Sequence, residues 1–100
     1  MLVTAEEAKE LMDSTDDYVL VDVRTEEEYE EGHIPGAILI PYDEIEDRAE
    51  DELPDMGQTI LVYCRSGNRS DQAANTLEEL GYRDVQDFGG IQDWPFEIEE

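Results

Sequence analysis

Hydrophobic and polar positions change period several times along the chain, and each change marks an element. Ala5, Ala8, Leu11 and Met12 recur at helical spacing behind Thr4-Ala5-Glu6-Glu7, a capping box of the form Ser/Thr-x-x-Glu. They predict a first helix over about residues 5–13. Residues 18–23 are apolar except for Asp22, as in a strand buried on both faces. Thr25-Glu26-Glu27-Glu28 is a second capping box, opening a short helix that ends near Gly32. A Gly- and Pro-rich loop follows, then a short strand from Ala37 to Ile40 that Pro41 stops. Ile45, Ala49 and Leu53 form the apolar stripe of an acidic surface helix. Thr59 to Tyr63 is the second strong buried strand. Ala73, Leu77 and Leu80 line a helix closed by Gly81, and Val85 to Asp87 predict a last short strand before Gly89-Gly90 and a turn carrying Trp94.

Strands alternating with helices predict an α/β class with a mainly parallel sheet. The chain has 100 residues, so one domain over 1–100 is expected. Charge changes the picture next. Twenty-nine acidic residues oppose six basic ones, for a formal net charge of -23. That excess argues against nucleic acid or anionic membrane as partner, since both need a basic patch. The acidic residues are spread over nearly every segment, as in proteins of salt-accumulating halophiles, where about 1 M salt cuts the Debye length to about 3 Å. No apolar run approaches the roughly 20 residues that span a bilayer, and the first residues lack a basic and then apolar leader. A cytoplasmic location is expected.

Cys64 is the only cysteine, which excludes an internal disulfide and a cysteine-based zinc cluster. It opens the polar stretch Cys64-Arg65-Ser66-Gly67-Asn68-Arg69-Ser70, read as a loop from Cys64 to Arg69 between a buried strand and a helix. The carboxyl ends of parallel strands are where ligands bind. Backbone N–H groups of such a loop converge into an anion nest, and the next helix adds its positive end. A cysteine at its start has a depressed pKa. Gly67 permits the tight turn, and Arg65 and Arg69 add two of the six basic residues, both expected to be exposed.

At these residues the sequence resembles a single-domain rhodanese, a sulfurtransferase. The resemblance covers about residues 4–96. Asp22-Val23-Arg24 ends a strand, and Glu28-Tyr29 precedes Gly32-His33-Ile34-Pro35-Gly36-Ala37. The six-residue loop Cys64 to Arg69 follows Ile60 to Tyr63, and Gly89-Gly90-Ile91 and Trp94 close the domain. The resemblance implies a three-layer α/β/α domain with a central five-stranded sheet of order 1-5-4-2-3. It also implies that Cys64 carries a persulfide. Two departures stand out: Leu39 occupies a position often Asn or His in the family, and the chain stops soon after Trp94, which predicts a loosely held last turn.

The expected chemistry is attack of the Cys64 thiolate on the outer sulfur of thiosulfate or another persulfide donor, followed by transfer to a small-molecule or protein thiol, or to cyanide in an assay. The N–H groups of the loop, including those of Ser66, Gly67 and Asn68, stabilise the persulfide, and Arg65 and Arg69 bind the sulfonate. Neither a metal nor an organic cofactor is needed, and a monomer is expected. Asp22 and Arg24 are expected as a polar pair beside the loop, His33 as a hydrogen-bonded turn residue, and Trp94 as packing for the last turn. Two other readings compete. A non-catalytic or redox-sensing module would use the same thiolate without an internal resolving cysteine. A cysteine phosphatase or arsenate reductase would need Cys-x5-Arg, but that arginine would fall on Ser70.

Overall fold

The computed structural model describes residues 2–100; Met1, where the expected domain begins, lies outside them. Among these residues the elements alternate: α1 (Ala5–Ser14), β1 (Tyr18–Asp22), α2 (Glu26–Glu31), β2 (Ile38–Leu39), α3 (Ile45–Glu52), β3 (Thr59–Cys64), α4 (Asn68–Leu80) and β4 (Asp84–Gly90). Both predicted capping boxes close. Thr4 Oγ1 accepts the Glu7 N–H at 3.0 Å while the Glu7 carboxylate accepts the Thr4 N–H at 2.9 Å. Thr25 and Glu28 repeat the exchange at 3.2 and 3.1 Å.

The four strands form one parallel sheet of order β2-β1-β3-β4. Side chains alternate across it with period two. Ile60, Val62 and Cys64 of β3 join Val21, Ile45, Ala49, Ala73 and Leu77 on the α3/α4 face. Leu61 and Tyr63 join Ala8, Leu20, Phe88 and Trp94 on the α1 face. Ile60, Leu61 and Val62 are fully buried, each contributing about 1.5–3 kcal/mol of transfer free energy. That is why β3 reads as continuous apolar sequence.

The expected five-stranded sheet of order 1-5-4-2-3 is corrected to four strands. Leu2 makes only an isolated parallel bridge to Asp87 of β4, with Val3 N–H donating to the Asp87 carbonyl at 2.9 Å. Thr4 then caps α1, so the chain leaves the sheet edge before a second pair forms. The expected loose last turn is also corrected. His33 and Glu99 exchange backbone hydrogen bonds at 2.9 and 2.8 Å, and Trp94 packs between Phe88 and Phe96. Among the described residues no helix is long and apolar enough to cross a membrane.

Candidate active site

Cys64 ends β3 at the carboxyl edge of the sheet, and the chain reverses over Arg65, Ser66 and Gly67 into α4. The expected loop is shorter than predicted: Asn68 and Arg69 already lie in the first turn of α4. Gly67 occupies the N-cap with φ of 112°, a left-handed conformation that side chains disfavour. It brings no capping side chain, so the N–H groups at the start of α4 are open. The cysteine sulfur takes that place. Cys64 Sγ accepts the Gly67 N–H at 2.9 Å and lies 3.6 Å from Ser70 Oγ.

Cys64 is fully buried. Burial pushes its thiol pKa up. The Ser70 hydroxyl and the backbone N–H groups of Ser70, Gly67 and Ser66 pull it down by more, and the balance lies below the ordinary thiol value. The cradle is made of neutral donors.

A second close approach shapes the loop. Between the Val62–Asp87 and Cys64–Gly90 pairs, β4 carries one residue more than β3. The resulting bulge brings Gly90 beneath the loop. A Cβ on Gly90 would stand 2.7 Å from Arg65 C and Ser66 Cα and overlap the Arg65 carbonyl oxygen. The sequence shows Gly89-Gly90 as a motif; this contact is its physical reason.

The two loop arginines part ways. Arg65 is exposed, as is its neighbour Ser66, and no ion pair holds it among the described residues. Arg69 corrects the expectation of an exposed loop residue. It lies in α4 and donates to both Glu28 carboxylate oxygens, at 2.7 and 3.0 Å, with its side chain 24% exposed. The Arg69 hydrogen bonds hold the Glu28 carboxyl down at about 2. Asn68 is exposed on the first turn of α4.

Asp22 and Arg24 form the expected polar pair. Arg24 Nε and Nη2 reach the Asp22 carboxylate at 3.0 and 2.7 Å, and Nη2 also donates to the Gly32 carbonyl at 2.6 Å. Asp22 pairs in register with Tyr63, whose hydroxyl donates to Asp22 Oδ2 at 2.9 Å and accepts the Ile34 N–H at 3.1 Å. Burial, then the Asp22 charge, push the Tyr63 pKa well up, so the phenol stays a donor. His33 is a turn residue, stacked on Tyr29 at 3.9 Å with Nδ1 facing the Tyr29 carbonyl at 2.9 Å.

Three residues of this region escaped the sequence reading in these roles. Tyr63 looked like core, and only pairing with Asp22 across β1 and β3 exposes its hydroxyl function. Ser70 entered as the end of the polar stretch and the position lacking a phosphatase arginine, with no part in the sulfur's cradle. It is fully buried, with Oγ also 3.1 Å from the Gly67 carbonyl. Its signal was available: side chains in a first helical turn lean back toward the N-terminus, here toward the sulfur. Glu28 looked like a capping residue and part of the Glu28-Tyr29 element, not the partner of a residue on α4. Beside the loop, Arg24, Glu28, Glu31, Gly32, Arg65, Ile91 and Gln92 line an open cleft of about 540 Å³.

Comparison with known proteins agrees with this geometry. Residues 4–96 match the model of the rhodanese-like domain. Over 73 residues the chain is 42% identical to the thiosulfate sulfurtransferase PspE of Escherichia coli, covering 73% of this chain and 70% of PspE. It is 40% identical over 93 residues to YrkF of Bacillus subtilis, a putative sulfur carrier protein, spanning about half of that protein (49%) and 92% of this chain. The solved structure of a rhodanese with anions from E. coli superposes with a TM-score of 0.78 at 37% identity, over 83% of this chain and 98% of that one. The chain belongs to the rhodanese-like domain family and is a sulfurtransferase of the rhodanese type.

Proposed function

We propose that Cys64 is the nucleophile of a two-step sulfur transfer, with thiosulfate or a persulfide as donor and a thiol as acceptor. The observation that carries this reading is the Cys64 sulfur at 2.9 Å from the Gly67 N–H, at a helix start with no side-chain cap. The Cys64 thiolate attacks the outer sulfur of thiosulfate. The S–S bond breaks, sulfite leaves with its electron pair, and a Cys64 persulfide anion remains. An acceptor thiolate then attacks the outer persulfide sulfur, giving a new persulfide and restoring the Cys64 thiolate. Charge balances in both steps without a redox carrier. The N–H groups of Ser66, Gly67 and Ser70 hold the anion through the cycle, as an oxyanion hole does. Arg65 meets the sulfonate at the cleft, and the Asp22–Arg24–Tyr63 network supports the strand ends. Cys64 to Ser70 lacks the arginine of a Cys-x5-Arg phosphate cradle, which favours a sulfur over a phosphate.

Intact-protein mass spectrometry tests the reading. Thiosulfate adds one sulfur to the wild-type chain, a thiol or cyanide removes it, and Cys64→Ser takes up none. Loading of the serine variant, or no loading of the wild type, overturns the mechanism. Aryl phosphate hydrolysis that depends on Cys64 and matches thiosulfate turnover would reassign the site.

A further inference from the structure

We infer that Glu28 sets the charge preference for the sulfur donor by occupying the Arg69 fork that a sulfonate would otherwise bind. The inference rests on the sulfur-transfer reading and concerns which donors that site accepts. A guanidinium fork recognises carboxylates and oxyanions through the same parallel N–H pair. In this chain both terminal nitrogens of Arg69 already donate to Glu28, at 2.7 and 3.0 Å. Glu28 is anchored for that task. Its Oε1 also accepts the Thr25 N–H and hydroxyl, both at 3.1 Å, so the capping box fixes the carboxylate that faces Arg69. Arg69 does not itself line the cleft, but Glu28 does, and the Arg69 charge acts on Cys64, so an oxyanion that reaches the fork must displace a tethered competitor.

The rest of the cleft strengthens the bias. Glu28 and Glu31 both line it. Arg24, one of the two guanidinium groups that line the cleft, is committed to Asp22 and the Gly32 carbonyl. Arg65 is the remaining cation of the cleft, exposed and in no ion pair among the described residues. A donor carrying two negative charges therefore meets one available guanidinium and two carboxylates. A donor with one charge loses less. The structure assigns Glu28 as a specificity-determining residue that disfavours dianionic donors relative to monoanionic or neutral ones.

Thiosulfate and methanethiosulfonate make the comparison clean. Each delivers one sulfur to the Cys64 thiolate, releasing sulfite or methanesulfinate with the bonding pair. They differ by one charge on the leaving group. In Glu28→Gln the amide oxygen keeps the capping box, while the charge holding Arg69 is lost. The expected result is a rise of about fivefold or more in the kcat/KM ratio of thiosulfate to methanethiosulfonate, carried by a lower thiosulfate KM at unchanged kcat. In an Arg69→Gln background the same substitution changes the ratio much less, because the fork it frees is gone. Glu28→Ala, which removes cap and charge together, raises the ratio even if it lowers the melting temperature. An unchanged ratio in both Glu28 variants, or an equal gain with and without Arg69, overturns the inference. Failure of both donors to load wild-type Cys64 would instead overturn the sulfur-transfer reading beneath it.

Discussion

β1 and β3 lie side by side and both end in a buried acid, yet the two ends solve the burial of charge differently. Asp22 ends β1 fully buried, beside the Arg24 guanidinium and under the Tyr63 hydroxyl. Cys64 ends β3 equally buried, but its sulfur is held by N–H and O–H dipoles, with the Arg69 charge acting on it through space. A full counter-charge suits a pair that ties two strand ends together, because removing either partner strands a buried charge. Neutral donors suit a group that is thiolate and persulfide in turn, as the proposed cycle requires, since they lower the cost of the anion without binding it permanently. The first arrangement ties the strand ends together by an ion pair; the second holds a sulfur by hydrogen-bond dipoles, as the proposed transfer needs.

The largest test breaks the permanent pair. Asp22→Ala leaves Arg24 buried without its partner, an expected loss of about 3–5 kcal/mol. That is a large share of the ~5–15 kcal/mol that holds a typical domain. Denaturant unfolding measures it; a loss under about 1 kcal/mol would mean that Arg24 escapes to solvent.

The next breaks the dipole cradle and spares the pair. Gly90→Ala drives a methyl into the Arg65–Ser66 backbone. An expected cost of about 1–3 kcal/mol accompanies a loss of persulfide loading out of proportion to it. Wild-type loading in this variant would show that the loop tolerates displacement.

A pH series sharpens the contrast. The Cys64 pKa lies below the ordinary thiol value, so sulfur loading persists below the range of a free thiol, about 8.5, and falls as pH drops through the depressed pKa. The sign for stability follows. A lowered folded pKa contributes stability above the unfolded value, lost as pH falls toward the folded one. Glu28, held at about 2 against roughly 4.3 unfolded, adds a separate loss between those two values. A loading profile that tracks a free thiol would contradict the cradle.

The smallest effect per residue concerns the charges outside both sites. Repulsion between two exposed carboxylates is worth about 1 kcal/mol or less in water, but the net charge of -23 sums many such terms. The melting temperature and the apparent affinity for thiosulfate are expected to rise together from low to molar KCl. A melting temperature flat or falling over that range would remove the expectation of adaptation to high salt, leaving the sulfur chemistry untouched.

Local signals proved legible where one short segment contains the whole cause. Thr4 and Thr25 predicted helix starts because each capping box closes within four residues. Cys64 to Ser70 stood out because a strand end, a glycine and two arginines adjoin in sequence. The fifth strand did not follow from local pattern: whether Leu2 and Val3 extend the sheet depends on how soon α1 begins beside β4.

The alternation of elements, the buried β1 and β3 and the candidate nucleophile at a strand end are legible from the chain alone, since hydrophobic period and turn chemistry act over a few positions. Tertiary structure alone decided which charges are available. Arg65 and Arg69 are four residues apart and alike in sequence, but Glu28, 41 positions away, reaches only Arg69. Likewise, Tyr63 meets Asp22 only because β1 and β3 pair in that register. A cation's free or committed state depends on distances of about 3 Å between segments remote in sequence, and only the packed chain sets those distances.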